Sequence, residues 1–224
     1  MLNFEKVSKK FGKHLALDNI TFKVNKGEFV FLVGASGAGK TTILRLIIKD
    51  INPTHGLIKL NDIDIVKLSS NKVPILRRKV GMIFQDFKIL TDRTIFENIA
   101  ITLEILGKKP QEIKAKVDEV LSMVGLSQRR NFFPIQLSAG EIQRASIARA
   151  IVGKPAMLLA DEPTGNLDPK TGWEILRALN EINKNGTTVI MATHNVDIVN
   201  SMDKRVIKLA EGKIIKDESK GKYI

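Results

Sequence analysis

Gly34-Ala35-Ser36-Gly37-Ala38-Gly39-Lys40-Thr41 fits the pattern G-x-x-x-x-G-K-[ST]. The apolar run Phe29-Val30-Phe31-Leu32-Val33 leads into it, and the helical pattern Thr42-Ile43-Leu44-Arg45-Leu46-Ile47-Ile48 follows directly. Strand, glycine loop and helix in that order make a phosphate cradle. Glycines let backbone N–H groups converge on a polyphosphate, and the helix N-terminus adds partial positive charge. In such a loop Lys40 reaches the β- and γ-phosphates and the Thr41 hydroxyl ligates Mg²⁺. The stretch predicts an α/β fold of P-loop type; what the nucleotide is used for has to come from other residues.

The 224 residues suffice for one large domain, or a core with a sub-domain. Hydrophobic content of 43% and charged content of 27% fit a folded chain rather than a disordered one. With no cysteine, disulfides and cysteine-ligated metal sites are excluded. The opening residues lack the order of a secretory signal and no apolar run approaches the length of a bilayer span, so the chain is expected to be soluble. A net charge of +12 favours an anionic neighbour, either a phospholipid surface or nucleic acid. The basic residues are spread along the chain, which fits scattered solvated lysines equally well, so charge alone decides nothing.

Outward from the loop, residues 2–8 and 15–24 alternate apolar and polar positions and read as half-buried strands of an antiparallel layer. Lys9-Lys10-Phe11-Gly12-Lys13 between them reads as a basic turn, in which Phe11 is either a small packing contact or a platform for a base. Residues 57–60 and 80–84 read as strands, and 73–79 as a short basic helix with Pro74 in its first turn. From about 88 to 153 the periodicity is helical, a block that predicts a sub-domain inserted into a single domain over 1–224. Its last helix opens at Leu137-Ser138-Ala139-Gly140-Glu141, with Ser138 and Glu141 in capping-box spacing. Residues 156–161 form an apolar strand, followed by a helix at 170–184, a strand at 187–192, a short helix near 196–201 and strands near 204–210 and 213–216. Strands apolar along their whole length imply a sheet covered on both faces, hence a mainly parallel core. The polar stretch from Lys216 to Ile224 is expected to fray.

Phosphoryl transfer to water needs a metal on the phosphates, a positioned water and charge neutralisation. Asp161 ends an apolar strand, where a Mg²⁺-associated carboxylate belongs. Glu162, next to it, is placed to orient or deprotonate the attacking water. Gln85 and His194 follow two other strand ends; an amide can touch both metal and water, and an imidazole can donate to a phosphate oxygen. Strand ends are where ligands bind in an open α/β sheet.

Together these residues resemble the ATP-binding cassette (ABC) ATPases over nearly the whole chain. The resemblance implies a P-loop fold with a mainly parallel RecA-like core, an antiparallel β subdomain and a helical subdomain. It makes residues 34–41 the Walker A motif, with nucleotide contacts continuing to Thr42, and Leu158 to Glu162 the Walker B strand with its catalytic glutamate. Gln85 is similar to the Q-loop glutamine, with roles at the metal and in catalysis; His194 is similar to the switch histidine, and Asn166-Leu167-Asp168 to the D-loop, which puts Asp168 beside the nucleotide. Phe11 stands where an aromatic, usually tyrosine, stacks on adenine. ATP and Mg²⁺ are the implied ligands.

Leu137-Ser138-Ala139-Gly140-Glu141 resembles the signature LSGGQ with two departures. In family dimers this helix N-terminus faces the γ-phosphate held by the other subunit, which places Ser138, Gly140 and Glu141 at a shared site in an ATP-dependent head-to-tail homodimer. Ala139 in place of glycine is expected to lower, but not abolish, that dimerisation. The string Ala160-Asp161-Glu162-Pro163-Thr164-Gly165-Asn166-Leu167-Asp168 resembles the branch of lipoprotein-release, macrolide-efflux and cell-division ATPases, and residues 73–78, 80–86 and 131–138 lean toward the cell-division members. That branch implies a separate integral membrane subunit, a peripheral position on the cytoplasmic face of the membrane and an anionic lipid surface as neighbour. An exporter subunit is the alternative. Members acting on nucleic acid usually carry long coiled coils, zinc cysteines or tandem cassettes; none is present, so no nucleic-acid partner is expected.

Overall fold

The structure, a computed structural model, describes residues 1–223. An antiparallel layer is built from β1 (Leu2–Phe11), β2 (His14–Val24), β4 (His55–Leu60) and β5 (Ile63–Asp64) in the order β2-β1-β4-β5. Between β2 and β4 the chain lays down β3 (Phe29–Val33) and α1 (Lys40–Ile47), and after β5 come α2 (Val73–Arg77) and β6 (Val80–Ile83). Three helices follow: α3 (Ile95–Ile105), α4 (Pro110–Met123) and α5 (Ala139–Ile151). The chain then returns through β7 (Met157–Asp161), α6 (Pro169–Lys184), β8 (Thr188–Thr193), α7 (Val196–Asn200), β9 (Arg205–Ala210) and β10 (Lys213–Glu218).

The second sheet runs β10-β9-β3-β8-β7-β6, parallel throughout except for the antiparallel β10. Every residue of β3, β7 and β8 is buried, as a sheet covered on both faces requires. The period of two in each strand sorts its side chains between two cores. Phe29, Phe31 and Val33 join Leu158, Ala160, Val189 and Met191 on the face that α3 to α6 cover. Val30 and Leu32 join Met157, Leu159, Ile190 and Ala192 on the face shared with α1 and the antiparallel layer, where Phe4 and Phe22 stack at 4.6 Å. At about 1.5–3 kcal/mol for each fully buried aliphatic or phenyl side chain, these two cores are what hold the strand ends in register for the site.

Two capping boxes start the helical block. Thr94 and Glu97 open α3 and Ser138 and Glu141 open α5, each with reciprocal side-chain to backbone bonds. The segment from Lys88 to Thr94 is a loop rather than helix: buried Asn98 accepts from the Leu90 N–H and donates to the carbonyls of Leu90, Arg93 and Thr94.

Two further expectations are corrected. The basic stretch 9–13 is not a turn, because β1 continues to Phe11, with Lys9, Lys10 and Phe11 opposite Leu17, Leu15 and His14; the turn is Gly12-Lys13 alone. Ladder hydrogen bonds hold even lysines when one face of the strand packs and the other is wet. The stretch from Lys216 does not fray over the described residues: Lys216, Asp217 and Glu218 pair with β9, and Gly221 and Tyr223 are hydrogen-bonded to Lys204 and Asn200. Ile224 lies outside the described residues.

Candidate nucleotide site

Gly39 is the N-cap of α1 at φ 104, a backbone conformation that disfavours any side chain. A Cβ there would also lie 2.6 Å from Leu17 Cδ2 and 2.8 Å from the Ala16 carbonyl, so the loop can nest against β2 only with glycine. No side chain caps α1, which leaves its first N–H groups for an anion. Lys40, only 7% exposed, donates from Nζ to the carbonyls of Gly34 (2.8 Å) and Ala35 (3.1 Å), bracing the loop from inside.

Asp161 closes β7 beside the start of α1, and the Thr41 hydroxyl donates to its Oδ1 at 3.1 Å. Burial raises the Asp161 carboxyl from its ordinary value, opposed by the bond from Thr41. A cation at this pair would repay the ionisation that burial penalises. Among the described residues no three acidic or histidine side chains converge as a metal cage. Two protein oxygens, with phosphate and water completing the shell, is how Mg²⁺ is usually held, so the residues fit Mg²⁺.

Glu162 follows Asp161 with φ 44, an uncommon region for a residue with a side chain. Its N–H donates to the Ala192 carbonyl (2.9 Å), which fixes this turn to the end of β8. Its carboxylate, 11% exposed, lies 2.8 Å from His194 Nδ1 and 3.7 Å from Lys40 Nζ, and accepts a longer bond from the His194 N–H at 3.4 Å. The arrangement holds a carboxylate between an ammonium and an imidazole at the floor of the cleft, where it can orient and deprotonate a water.

A cleft of about 600 Å³ brings together Phe11, the loop residues Ala35, Ser36 and Gly37, the run Gly39 to Thr42, and Gln85, Glu162 and His194. Gly34 and Ala38 border an adjoining hollow on the other side of the loop. Gln85 is exposed at the cleft edge, and its carbonyl accepts from Asn166 Nδ2 at 3.3 Å. Phe11 is 42% exposed at the cleft, with Lys9 Nζ 4.9 Å from its ring centroid.

Ser138, Gly140, Glu141 and Asp168 are not part of this cleft. The Ser138 hydroxyl accepts from the Glu141 N–H (3.3 Å), and Glu141 Oε2 accepts from the Ser138 N–H and hydroxyl (each 2.9 Å). Arg129 pairs with the other oxygen at 2.9 Å; that guanidinium and the two bonds from Ser138 hold the Glu141 carboxyl down at about 2. Asp168, also outside the cleft, caps α6 by accepting from the Thr171 N–H at 3.0 Å, and its carboxyl is lowered by Thr171. In this chain the acids at both helix starts are spent on capping, while Ala139 and Gly140 open α5 at the surface. Three cleft residues escaped the sequence reading, His14, Ala16 and Tyr223. His14 is placed by the β1–β2 hairpin; Tyr223 arrives from a polar stretch with no periodicity to announce it.

A protein-family profile described as ABC transporter matches residues 17–165. Among curated proteins, the chain is 49% identical over 224 residues to the cell division ATP-binding protein FtsE of Bacillus subtilis (strain 168), covering 100% of this chain and 98% of the relative. It is 48% identical over 213 residues to the protein of the same name from Escherichia coli (strain K12), covering 95% and 96%. Among solved structures it is similar to the dimeric structure of MJ0796, a bacterial ABC transporter cassette, with TM-score 0.91, 33% identity and all of both chains covered. The same cassette as a post-hydrolysis dimer bound to ADP and Pi gives a TM-score of 0.90 at 33% identity, again over 100% of both chains.

Proposed function

The chain belongs to the ABC transporter family, and from that membership we propose that it is the ATP-hydrolysing subunit of a bacterial cell-division complex, docked on a separate integral membrane subunit resembling FtsX. It is an ATPase, converting ATP and water to ADP and phosphate. The observation that carries the reading is the Glu162 carboxylate held 2.8 Å from His194 on the floor of a phosphate cradle. Phe11 takes the adenine, the loop amides and Lys40 take the phosphates, and Gln85 and His194 line the γ-phosphate end. Thr41 and Asp161, joined by Gln85, would hold Mg²⁺, which would supply Lewis-acid charge at the phosphate oxygens. Glu162 takes the proton of the attacking water.

The exposed start of α5 meets the nucleotide of a second copy in a head-to-tail homodimer; the dimeric form of the similar cassette supports this. ATP-driven closure is transmitted to the membrane subunit, which regulates peptidoglycan hydrolysis. Docking uses a hollow of about 480 Å³ beside the Q-loop, between α2, β6, α3 and α5, with an apolar floor at Met82, Phe84 and Ile105 and basic walls at Arg77 and Arg78. Arg149, in the same hollow, donates to the carbonyls of Phe87 (3.0 Å) and Lys88 (2.8 Å), so a load on the segment after Gln85 is passed to α5. The chain sits peripherally on the cytoplasmic face, and its +12 charge favours anionic lipid. No helix among the described residues is long and apolar enough to cross a membrane.

Co-purification with the membrane subunit from a common operon tests the proposal. Charge reversal or bulky substitution at exposed positions across residues 87–106 should abolish capture while leaving ATP binding intact. Capture that survives those changes rejects the docking surface, and stimulation of turnover by a lipoprotein or a macrolide would favour the exporter reading.

A further inference from the structure

The segment after β10 turns back over the sheet and reaches the nucleotide cleft. Gly221 is buried on β9: a Cβ there would lie 2.7 Å from the Val206 Cβ, so glycine is what admits this approach. The Gly221 N–H donates to the Lys204 carbonyl at 3.1 Å. Two residues on, Asn200 clamps the backbone of Tyr223 from both sides: its Oδ1 accepts from the Tyr223 N–H (2.7 Å) and its Nδ2 donates to the Tyr223 carbonyl (3.2 Å). Asn200 is the last residue of α7, the helix whose N-cap, Asn195, directly follows His194.

The ring of Tyr223 is partly buried against the core on the helical face of the sheet, with Lys208 Nζ 5.6 Å from its centroid. Lys208 is in register with Val33, the residue before Gly34. Tyr223 borders both the cleft and the hollow on the far side of the P-loop. These neighbours place it beside the P-loop, where His14 of the β1–β2 hairpin lines the same cleft.

We propose that Tyr223 is a further nucleotide-site residue, a positioning residue whose ring, held by the Asn200 clamp, walls the phosphate side of the cleft between the P-loop and the helix following His194. The ring seats the Ala35 to Gly37 edge of the loop against α7, so that loop and switch histidine keep one spacing when the triphosphate binds. The inference rests on the reading of the cleft as an ATP site.

Tyr223 is the only tyrosine in the chain, so 3-fluorotyrosine labelling gives one ¹⁹F resonance. Titration with Mg²⁺ and a non-hydrolysable ATP analogue should shift it saturably, with the same midpoint as a fluorescent ATP analogue read independently. Asn200→Ala should move the resonance toward that of solvent-exposed fluorotyrosine, remove its response and weaken nucleotide binding about three- to tenfold, the scale of one or two lost hydrogen bonds. Tyr223→Phe should retain affinity and Tyr223→Ala should raise the KM for ATP by a similar factor, with turnover at saturating ATP within about twofold. Nucleotide binding with an unmoved resonance, or unchanged KM in Tyr223→Ala, overturns this inference alone. Failure of the wild-type protein to bind the analogue overturns the ATP reading and the inference with it.

Discussion

The carboxylate of Glu162 lies 2.8 Å from Nδ1 of His194, across the ends of the adjacent strands β7 and β8. The left-handed φ of 44 at Glu162 is what turns the side chain into the cleft, and the bond from its N–H to Ala192 holds that turn. Strain retained at a residue facing a phosphate cradle fits a chemical role better than a packing one.

Glu162→Gln should therefore keep the shape of the cleft and lose the base. Turnover should fall by about 10²- to 10⁴-fold, the usual share of a general base, with ATP affinity retained. The variant should accumulate as an ATP-bound dimer, read by sedimentation velocity with and without Mg²⁺–ATP. Hydrolysis at the wild-type rate would remove Glu162 from the chemistry.

His194 is 66% exposed at its side chain and presents Nδ1 to Glu162. With Nδ1–H engaged by the carboxylate, Nε2 carries a hydrogen for a phosphate oxygen only as imidazolium. His194→Ala should lower turnover by at least about tenfold while leaving ATP binding and thermal stability nearly unchanged, since an exposed imidazole packs against little. An equal loss of affinity and turnover would instead make His194 a binding group.

Glu141 couples the start of α5 to Arg129, and its lowered carboxyl gives a pH signature. Its stabilising contribution is complete above its ordinary value of 4.5 and is lost as pH falls toward about 2. Capping and a partly exposed ion pair together are worth about 1–2 kcal/mol. In urea denaturation Glu141→Ala should show that deficit at neutral pH, and the gap to wild type should narrow as pH drops below about 4.5. Glu141→Gln should lose less, because an amide oxygen still accepts from the Ser138 N–H.

Local chemistry made most of the site legible in the sequence. Gly39 and Lys40 are set by the backbone demands of one loop, Asp161 by the end of an apolar strand, and Ser138 with Glu141 by a spacing of three. Thr94 and Glu97 have the same spacing, and their box at the start of α3 could have been read from it. Asn98 and Tyr223 could not: each is fixed by partners from other elements, and neither periodicity nor turn chemistry encodes a tertiary hydrogen bond. Phe11 is exposed at the cleft, as its place in a basic stretch suggests, but the strand that carries it to the hairpin tip depends on pairing with His14 and Leu15, not on its lysine-rich neighbours.

The pair Ala139-Gly140 sets an open position beside a crowded one. Ala139 is exposed at the first position of α5, where a methyl costs the helix nothing. At Gly140 a Cβ would lie 2.6 Å from Thr171 Cγ2, in the first turn of α6. Gly140→Ala should therefore destabilise the protein by about 1–3 kcal/mol through overpacking between the two helix starts, and Thr171→Ser, which removes the opposing methyl, should restore much of it. Ala139→Gly is expected to act on the dimer instead: removing the methyl from the surface proposed to meet a second copy should raise ATP-dependent dimerisation of the Glu162→Gln protein several-fold, with about 1 kcal/mol or less lost from monomer stability. If sedimentation shows the same dimer fraction at every ATP concentration in both backgrounds, Ala139 does not weaken closure, and the departure from glycine at that position has no mechanical consequence.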